Sequence, residues 1–415
     1  MSTTTATKRI LPVLIATSIV AVQASAQNPP ASGPAEAEKF PQTVPPQPRP
    51  SNDPLYSPDP LGFALDPWND LKATLDREYG LKLEAGYTFH YQNASKTVGS
   101  GHDELGGRFD FAGNWTLLRT GEKDTGQLVF LLRSSENIGQ SQDFAVSDAA
   151  GSIMGTNSLH GGGDQIPISL NQLYWRQSFL DNKVAVSVGK LHPNNWIDLS
   201  PIANDETRQF MAGAYTGNLA NPGQGLWAPG VAVEFKFDEN WYANFVIANG
   251  EGLTQTAGLD SLHKGNFYTV GEVGFRTAGD LPGNYRLTAW NNDNDAGSGY
   301  GVSVGFDQEV GDGWTPFARL GHEEKDAGRF TDFASFGVAN VRPFGRRGDL
   351  FGIAGTYARP TDRTLREELL FETFYRVKVT DSIEFSPDVQ WLVHPAFQPD
   401  ADNVFVLGMR LKILF

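Results

Sequence analysis

The last twelve residues of the chain narrow its possible folds more than any other segment. Phe405, Leu407, Met409, Leu411, Ile413 and Phe415 fall on one face of an extended strand, and Val404, Val406, Gly408, Arg410 and Lys412 fall on the other. Side chains alternate across a strand, so this segment has one unbroken greasy face. Ending a water-soluble sheet this way would leave an edge prone to aggregation. Facing hydrocarbon, the same strand is stable.

The period of two recurs along the chain. In Leu81 to Tyr91 every odd position is apolar or aromatic, while the even positions are Lys82, Glu84, Gly86, Thr88 and His90. Fourteen more strand-like segments lie between these two: 106–118, 126–136, 166–178, 183–191, 228–237, 241–249, 267–276, 283–291, 299–309, 313–322, 331–341, 348–358, 367–378 and 382–393. The total is sixteen, an even number. Segments 166–178 and 331–341 alternate poorly. Short connections at 181–182, 238–240, 311–312 and 380–381 alternate with longer ones at 92–105, 137–165, 192–227, 250–266 and 394–402. That asymmetry predicts an all-β fold, a 16-stranded antiparallel transmembrane β-barrel with short periplasmic turns and long external loops. Tyr87, Tyr91, Trp241, Tyr242, Tyr268, Tyr300, Trp314, Tyr357 and Tyr375 lie near segment ends, where an interfacial girdle or ordinary strand preference would put them.

Composition agrees. Mean hydropathy is −0.33, yet aromatics are 12% and glycines number 45, as expected when alternation dilutes the apolar face. The net charge is −15, which disfavours nucleic acid as a partner. There is no cysteine.

The N-terminus reads as a secretory signal over residues 1–26. Lys8 and Arg9 precede an apolar run from Ile10 to Val22, and Ala24-Ser25-Ala26 is a small-residue cleavage pattern before Gln27. The run is too short to span a bilayer. Residues 27–65 are Pro-rich and read as a disordered linker with cell-wall contact as one role. Residues 66–80 predict a short helix, with Asp66 as N-cap, Pro67 at its first position and Gly80 just past its end. The barrel then occupies 81–415.

With the apolar face outward, the lumen face carries Lys82, Glu84, His90, Arg108, Asp110, Arg133, Glu234, Lys236, Glu272, Arg276, Arg286, Arg319, Glu372, Arg376, Lys378, Glu384, Asp388 and Arg410. Interleaved signs suit a neutral, hydroxyl-rich solute rather than one ion type. The alternative is that most of them form salt bridges within the wall. Residues 192–227, the third external loop, offer His192, Asn194, Asn195, Trp196, Asp198, Asn204, Asp205, Glu206 and Arg208. Folded inward as a constriction, this loop could stack Trp196 on a sugar ring. Left outside, it would have no filter role.

The C-terminal third resembles the carbohydrate-selective porin (OprB) family. Phe371 to Thr380, Pro387-Asp388-Val389-Gln390-Trp391, His394-Pro395, and Val406 to Leu411 with Phe415 carry that resemblance. Gln172 to Asp181, leading to Val188-Gly189-Lys190, and the opening Asp66-Pro67-Trp68 extend it. Lys190 and His394 stand where the family pattern has Arg and Asn. The resemblance implies facilitated diffusion of glucose or similar small sugars and no enzymatic chemistry, catalytic residue, cofactor or metal. Gly189-Lys190 would then lead into the constriction loop. It further implies a Gram-negative outer membrane with its lipid and lipopolysaccharide, assembly through Phe415 by the barrel-assembly machinery, and a homotrimer as one oligomeric form. Candidate substrate-binding residues are Arg108, Arg133, Lys190, Asn195, Trp196, Asp198, Asp205, Glu206, Arg319 and Arg376. Two other readings stay open: a structural or adhesion barrel with a blocked lumen, and a barrel-type hydrolase.

Other motifs carry little. Gly301-Val302-Ser303-Val304-Gly305 fits a nucleophile elbow by spelling, but no helix follows it. The histidines lack zinc-ligand spacing. Asn291 to Gly297 is rich in oxygen ligands without the closing glutamate of a calcium loop. Arg347-Gly348-Asp349 falls in an expected periplasmic turn.

Overall fold

In the computed structural model, the described residues are 54–415 without 121, 140–143, 160–165, 253–255, 296 and 325–327. The signal and linker expectations for residues 1–53 fall outside them. Sixteen antiparallel strands follow one another around a closed barrel, and the last pairs with the first. They are β1 Leu81–Ala94, β2 Asp103–Thr120, β3 Asp124–Asn137, β4 Ile166–Phe179, β5 Val184–Leu191, β6 Ala228–Lys236, β7 Trp241–Asn249 and β8 Phe267–Thr277. The second half comprises β9 Gly283–Asn294, β10 Gly297–Gln308, β11 Trp314–Glu324, β12 Phe330–Asn340, β13 Leu350–Pro360, β14 Glu368–Lys378, β15 Ile383–Val393 and β16 Asn403–Leu414.

The alternation sorts as expected. On β16, Phe405, Leu407, Met409 and Leu411 are 36–58% exposed on the outer face, whereas Val404, Val406 and Arg410 are buried within. No helix of the described residues is long and apolar enough to cross a membrane. Closure of the barrel satisfies every strand ladder without leaving an edge.

The two poorly alternating segments contain bulges. Across β3 and β4 the register passes from Leu131–Gln172 to Leu132–Leu170, leaving Asn171 unmatched. Asn171 and Gln172 are therefore both buried, and the phase slips by one. A second irregularity lies between Phe330 and Asp332 on β12. Two girdle candidates face inward instead: Tyr242 donates to Glu272 at 3.0 Å, and Tyr268 to Asn221 at 2.7 Å.

The loop asymmetry has two exceptions. The periplasmic β12–β13 connection runs over 341–349, and the external β9–β10 connection is a tight hairpin. Asn291 to Asn294 thus belong to β9 rather than to a calcium-like loop, their side chains sent to opposite faces. Among the described residues no group of three or more His, Asp or Glu could hold a metal ion. Ser303 sits in mid-strand on β10, and Asp349 of the Arg-Gly-Asp tripeptide is occupied by Arg346 at 2.6 Å.

The helix α1, Gly62–Tyr79, begins a turn earlier than Asp66-Pro67 implies. Asp59 starts it: its carboxylate accepts from the Leu61 amide at 2.9 Å and its carbonyl from the Gly62 amide at 3.0 Å. Pro67 lies inside the helix, and Gly80 ends it at φ 68 as expected. The helix packs at the periplasmic end, where Lys72 Nζ donates to the Phe415 carbonyl and Trp115 Nε1 to the Tyr79 carbonyl at 3.1 Å. Before it, the amides of Leu55 and Tyr56 bond the carbonyls of Lys378 and Val379, so this end of the Pro-rich segment is tied to the β14–β15 turn.

Candidate functional site: two loops folded into the barrel

Two external loops enter the lumen. The β5–β6 loop, 192–227, buries Ile197, Ile202, Phe210, Met211 and Tyr215. The β3–β4 loop, 138–165, buries Val146, Ala150, Ile153 and Met154, with a one-turn helix α2 at Val146–Ala149. Amides of Ser158 and Gly213 bond the carbonyls of Met211 and Gly155 at 3.0 and 3.3 Å, joining the loops to each other. The longer loop takes the inward of the two positions that the sequence left open. The second loop was missed there, although its length and its Ala145-Val146 and Ile153-Met154 pairs are the signal that could have found it.

Many inward charges hold these loops. Arg319 on β11, fully buried, donates to the Asp198 carboxylate at 3.0 Å and to the carbonyls of Tyr215, Asp198 and Ala203 at 3.1, 3.2 and 2.6 Å. Glu372 on β14 accepts from the amides of Met211 at 2.5 Å and Ala212 at 3.0 Å. Glu272 takes the Asp198 amide at 2.7 Å, and Arg286 reaches the Leu199 carbonyl at 2.6 Å. Glu384 pairs with Arg208, and Arg410 bonds the carbonyls of Glu206 and Gln209. On the shorter loop, Glu368 accepts from Ser152 Oγ at 2.6 Å and from the Ile153 amide at 3.0 Å. A loop buried inside a barrel must satisfy its backbone groups, and a wall of charged side chains supplies the partners.

This moves several candidates from substrate contact to scaffolding. Arg319 is one. Arg376 is another, bonding the Gly348 carbonyl at 3.2 Å and the Arg208 carbonyl at 3.5 Å. Asp198 is held by Arg319, Asn195 donates to Gln172 at 2.7 Å, and Asp205 accepts from Thr207 Oγ1 at 2.5 Å. Trp196 is only 2% exposed, set edge-on against Tyr174 at 5.5 Å, and has no face free for a sugar. Lys190 shares the outer face with Val188, because β5 continues to Leu191, which takes the inward position; Lys190 Nζ donates to the Leu170 carbonyl at 2.9 Å.

A second set of charges, less deeply buried than the clamps, lies on the β2–β6 side. Arg108 bridges Asp110 at 2.8 Å and Glu206 at 2.5 Å, and Arg133 reaches Asp110 at 2.6 Å. Arg133, Asp110, Glu206 and Glu234 keep 16–24% side-chain exposure, and Arg176 pairs with Glu234 at 3.0 Å. The Arg133 guanidinium stands 5.5 Å from the ring of Trp227, whose other neighbour is His192, stacked at 4.2 Å with 10° between planes. Burial pushes the His192 imidazole down to about 4, so it is neutral at ordinary pH, and its Nδ1–H donates to the Leu226 carbonyl, 2.8 Å away. Trp227 is half-buried and was overlooked in the sequence because it immediately precedes β6 and has no periodic signature.

A profile described as "Carbohydrate-selective porin, OprB family" matches residues 130–300 and 291–415. Porin B of Pseudomonas aeruginosa is 24% identical over 358 residues, spanning 70% of this chain and 76% of that protein. Porin AaxA of Chlamydia felis is 28% identical over 117 residues, and the chain spans about a quarter of its length (26%). The Pseudomonas putida OprB structure superposes with a TM-score of 0.68 at 15% identity, covering 84% of this chain and 97% of that one. These relatives are porins, which are channels, so the hydrolase reading falls. The chain belongs to the carbohydrate-selective porin, OprB family.

Proposed function

We propose that this protein is a Gram-negative outer-membrane porin through which small sugars such as glucose diffuse down their gradient. The observation that carries this reading is the contrast inside the lumen. Charges facing the two loops are consumed by backbone bonds, while Arg133, Asp110, Arg108 and Glu206 form a partly wet, alternating-sign cluster beside the Trp227 ring. Donors and acceptors next to an aromatic face match a hydroxyl-rich ring with an apolar underside. Net attraction for either ion sign is weak there, because each guanidinium has a carboxylate beside it.

Passage requires no covalent step. A sugar exchanges hydration for hydrogen bonds to Arg133 and Glu206, rests against Trp227, and leaves because each contact is individually weak. Lipid and lipopolysaccharide would surround the wall, and Phe415 would serve recognition by the assembly machinery. A trimer and cell-wall contact through residues 27–53 complete the reading of partners. The test is swelling of liposomes containing the purified barrel. Swelling in iso-osmotic glucose supports the proposal, and none in glucose or another small sugar defeats it. The blocked-lumen reading, which draws on the depth of both loops, predicts no single-channel conductance at all.

A further inference from the structure

The outer wall carries a feature that sugar passage does not use. At the periplasmic rim, Trp314, Asn340, Phe351 and Tyr375 are register partners across β11 to β14 on the outward face. Short Asn340 and Thr373, with Pro387 beyond, lie among taller rings and leave a cleft of about 850 Å³. Pro387 has no amide hydrogen to donate, and the β14–β15 pairing is interrupted beside it, between Phe374–Asp388 and Val377–Phe385, with the register unchanged.

The long β12–β13 connection folds over this cleft. Phe344 adopts a left-handed backbone at φ 55, and its ring is 92% exposed, stacked 6.1 Å from that of Tyr375 with 29° between the planes. A phenylalanine in that conformation costs about 1–2 kcal/mol, and its ring gains nothing from water. Both are accounted for if the ring enters the apolar layer. Around the mouth stand three exposed charges: Arg342, Arg347 and Asp312. Arg342 has Glu309 only at 3.8 Å.

We propose that this cleft binds one aminophospholipid of the periplasmic leaflet. An acyl chain lies against Phe351, Tyr375 and Phe344, the phosphate meets Arg342 and Arg347, and the headgroup ammonium meets Asp312. Two cations and one anion above an aromatic floor mirror the charge order of a zwitterionic amine headgroup above its chain. The depth is right, since aromatic rims and basic side chains meet at the headgroup level.

The experiment is native mass spectrometry of the whole barrel in detergent, titrated with phosphatidylethanolamine or phosphatidylglycerol of identical chains. One phosphatidylethanolamine adduct is expected, retained about fivefold better than phosphatidylglycerol, as one favourable surface charge contact would give. The doubly substituted R342A/R347A should lose about tenfold or more of the adduct. D312N should abolish the preference between the two lipids while still binding both. Equal retention of both lipids by the unaltered protein, or an undiminished adduct in R342A/R347A, overturns the proposal. Heat-modifiable gel mobility verifies that each variant is a folded barrel. A photo-crosslinker replacing Phe344 gives an independent reading: capture of lipid supports the site, and capture of a second copy or of residues 1–53 overturns it.

Discussion

The two halves of the lumen wall use the same residue types for opposite ends. From β8 to β16, Glu272, Arg286, Arg319, Glu372, Glu384 and Arg410 each meet the β5–β6 loop. From β2 to β6, Asp110, Arg133 and Glu234 pair with other wall residues and stay partly exposed. An inward arginine is thus neither structural nor functional by nature. What stands opposite decides: a loop with unsatisfied carbonyls takes it as a clamp, and a water-filled gap leaves it available to solute.

The contrast can be broken at its strongest point first. Arg319→Met removes that side chain's bonds to Asp198, Ala203 and Tyr215 and leaves Asp198 with Arg286 at 3.9 Å. Losing one partner of a buried pair costs about 3–5 kcal/mol, so thermal unfolding in detergent should shift clearly downward and channel current should become noisy as the loop loosens. An unchanged melting temperature would mean the clamp is not holding the loop.

A finer test sets two tryptophans of one loop against each other. Trp196→Ala should lower stability by about 3 kcal/mol or more through a buried cavity. Trp227→Ala should leave stability nearly unchanged and weaken half-saturation by glucose roughly fivefold, the worth of about 1 kcal/mol of ring contact. If the two variants behave alike, the division between scaffold and lining fails.

The smallest effect concerns pH. The folded His192 value of about 4 lies below the ordinary 6.5, so the neutral ring's contribution is complete above 6.5 and disappears as pH falls through 4. Arg133 opposes the extra charge and Glu206 favours it. Glucose flux should be flat between about pH 8 and 5 and decline below, and His192→Phe should remove the decline from flux records.

How much of this could be read from the chain follows from range. Alternation is local, so the sixteen strands and the outward row of β16 were legible within a few residues. The β3–β4 bulge was visible only as a fault in the pattern, since Asn171 disturbs the phase without announcing its direction. The early start of α1 was missed because Asp66-Pro67 is a louder signal than Asp59, whose capping shows only once the turn is formed. Clamp residues were named as inward charges, but their partners lie 116 residues away for Arg319 and Ala203, or 161 for Glu372 and Met211. Pairings at that distance depend on which loop fills the barrel, and no period encodes that. Trp196 and Trp227 differ in orientation for the same reason.

The seam between β1 and β16 sets the order in which the barrel can close. Tyr87 lies opposite Ile413, and Lys72 grasps the carbonyl of Phe415, so the sheet's first strand waits for its last. Any nascent or truncated product lacking β16 has two raw margins, each able to recruit a foreign strand. Loop-closure entropy over so long a span also makes this joining slow. Such a polypeptide is open to aggregation until β16 is in place, and a lesion in β16 should be read out as aggregation or degradation rather than as a leaky pore.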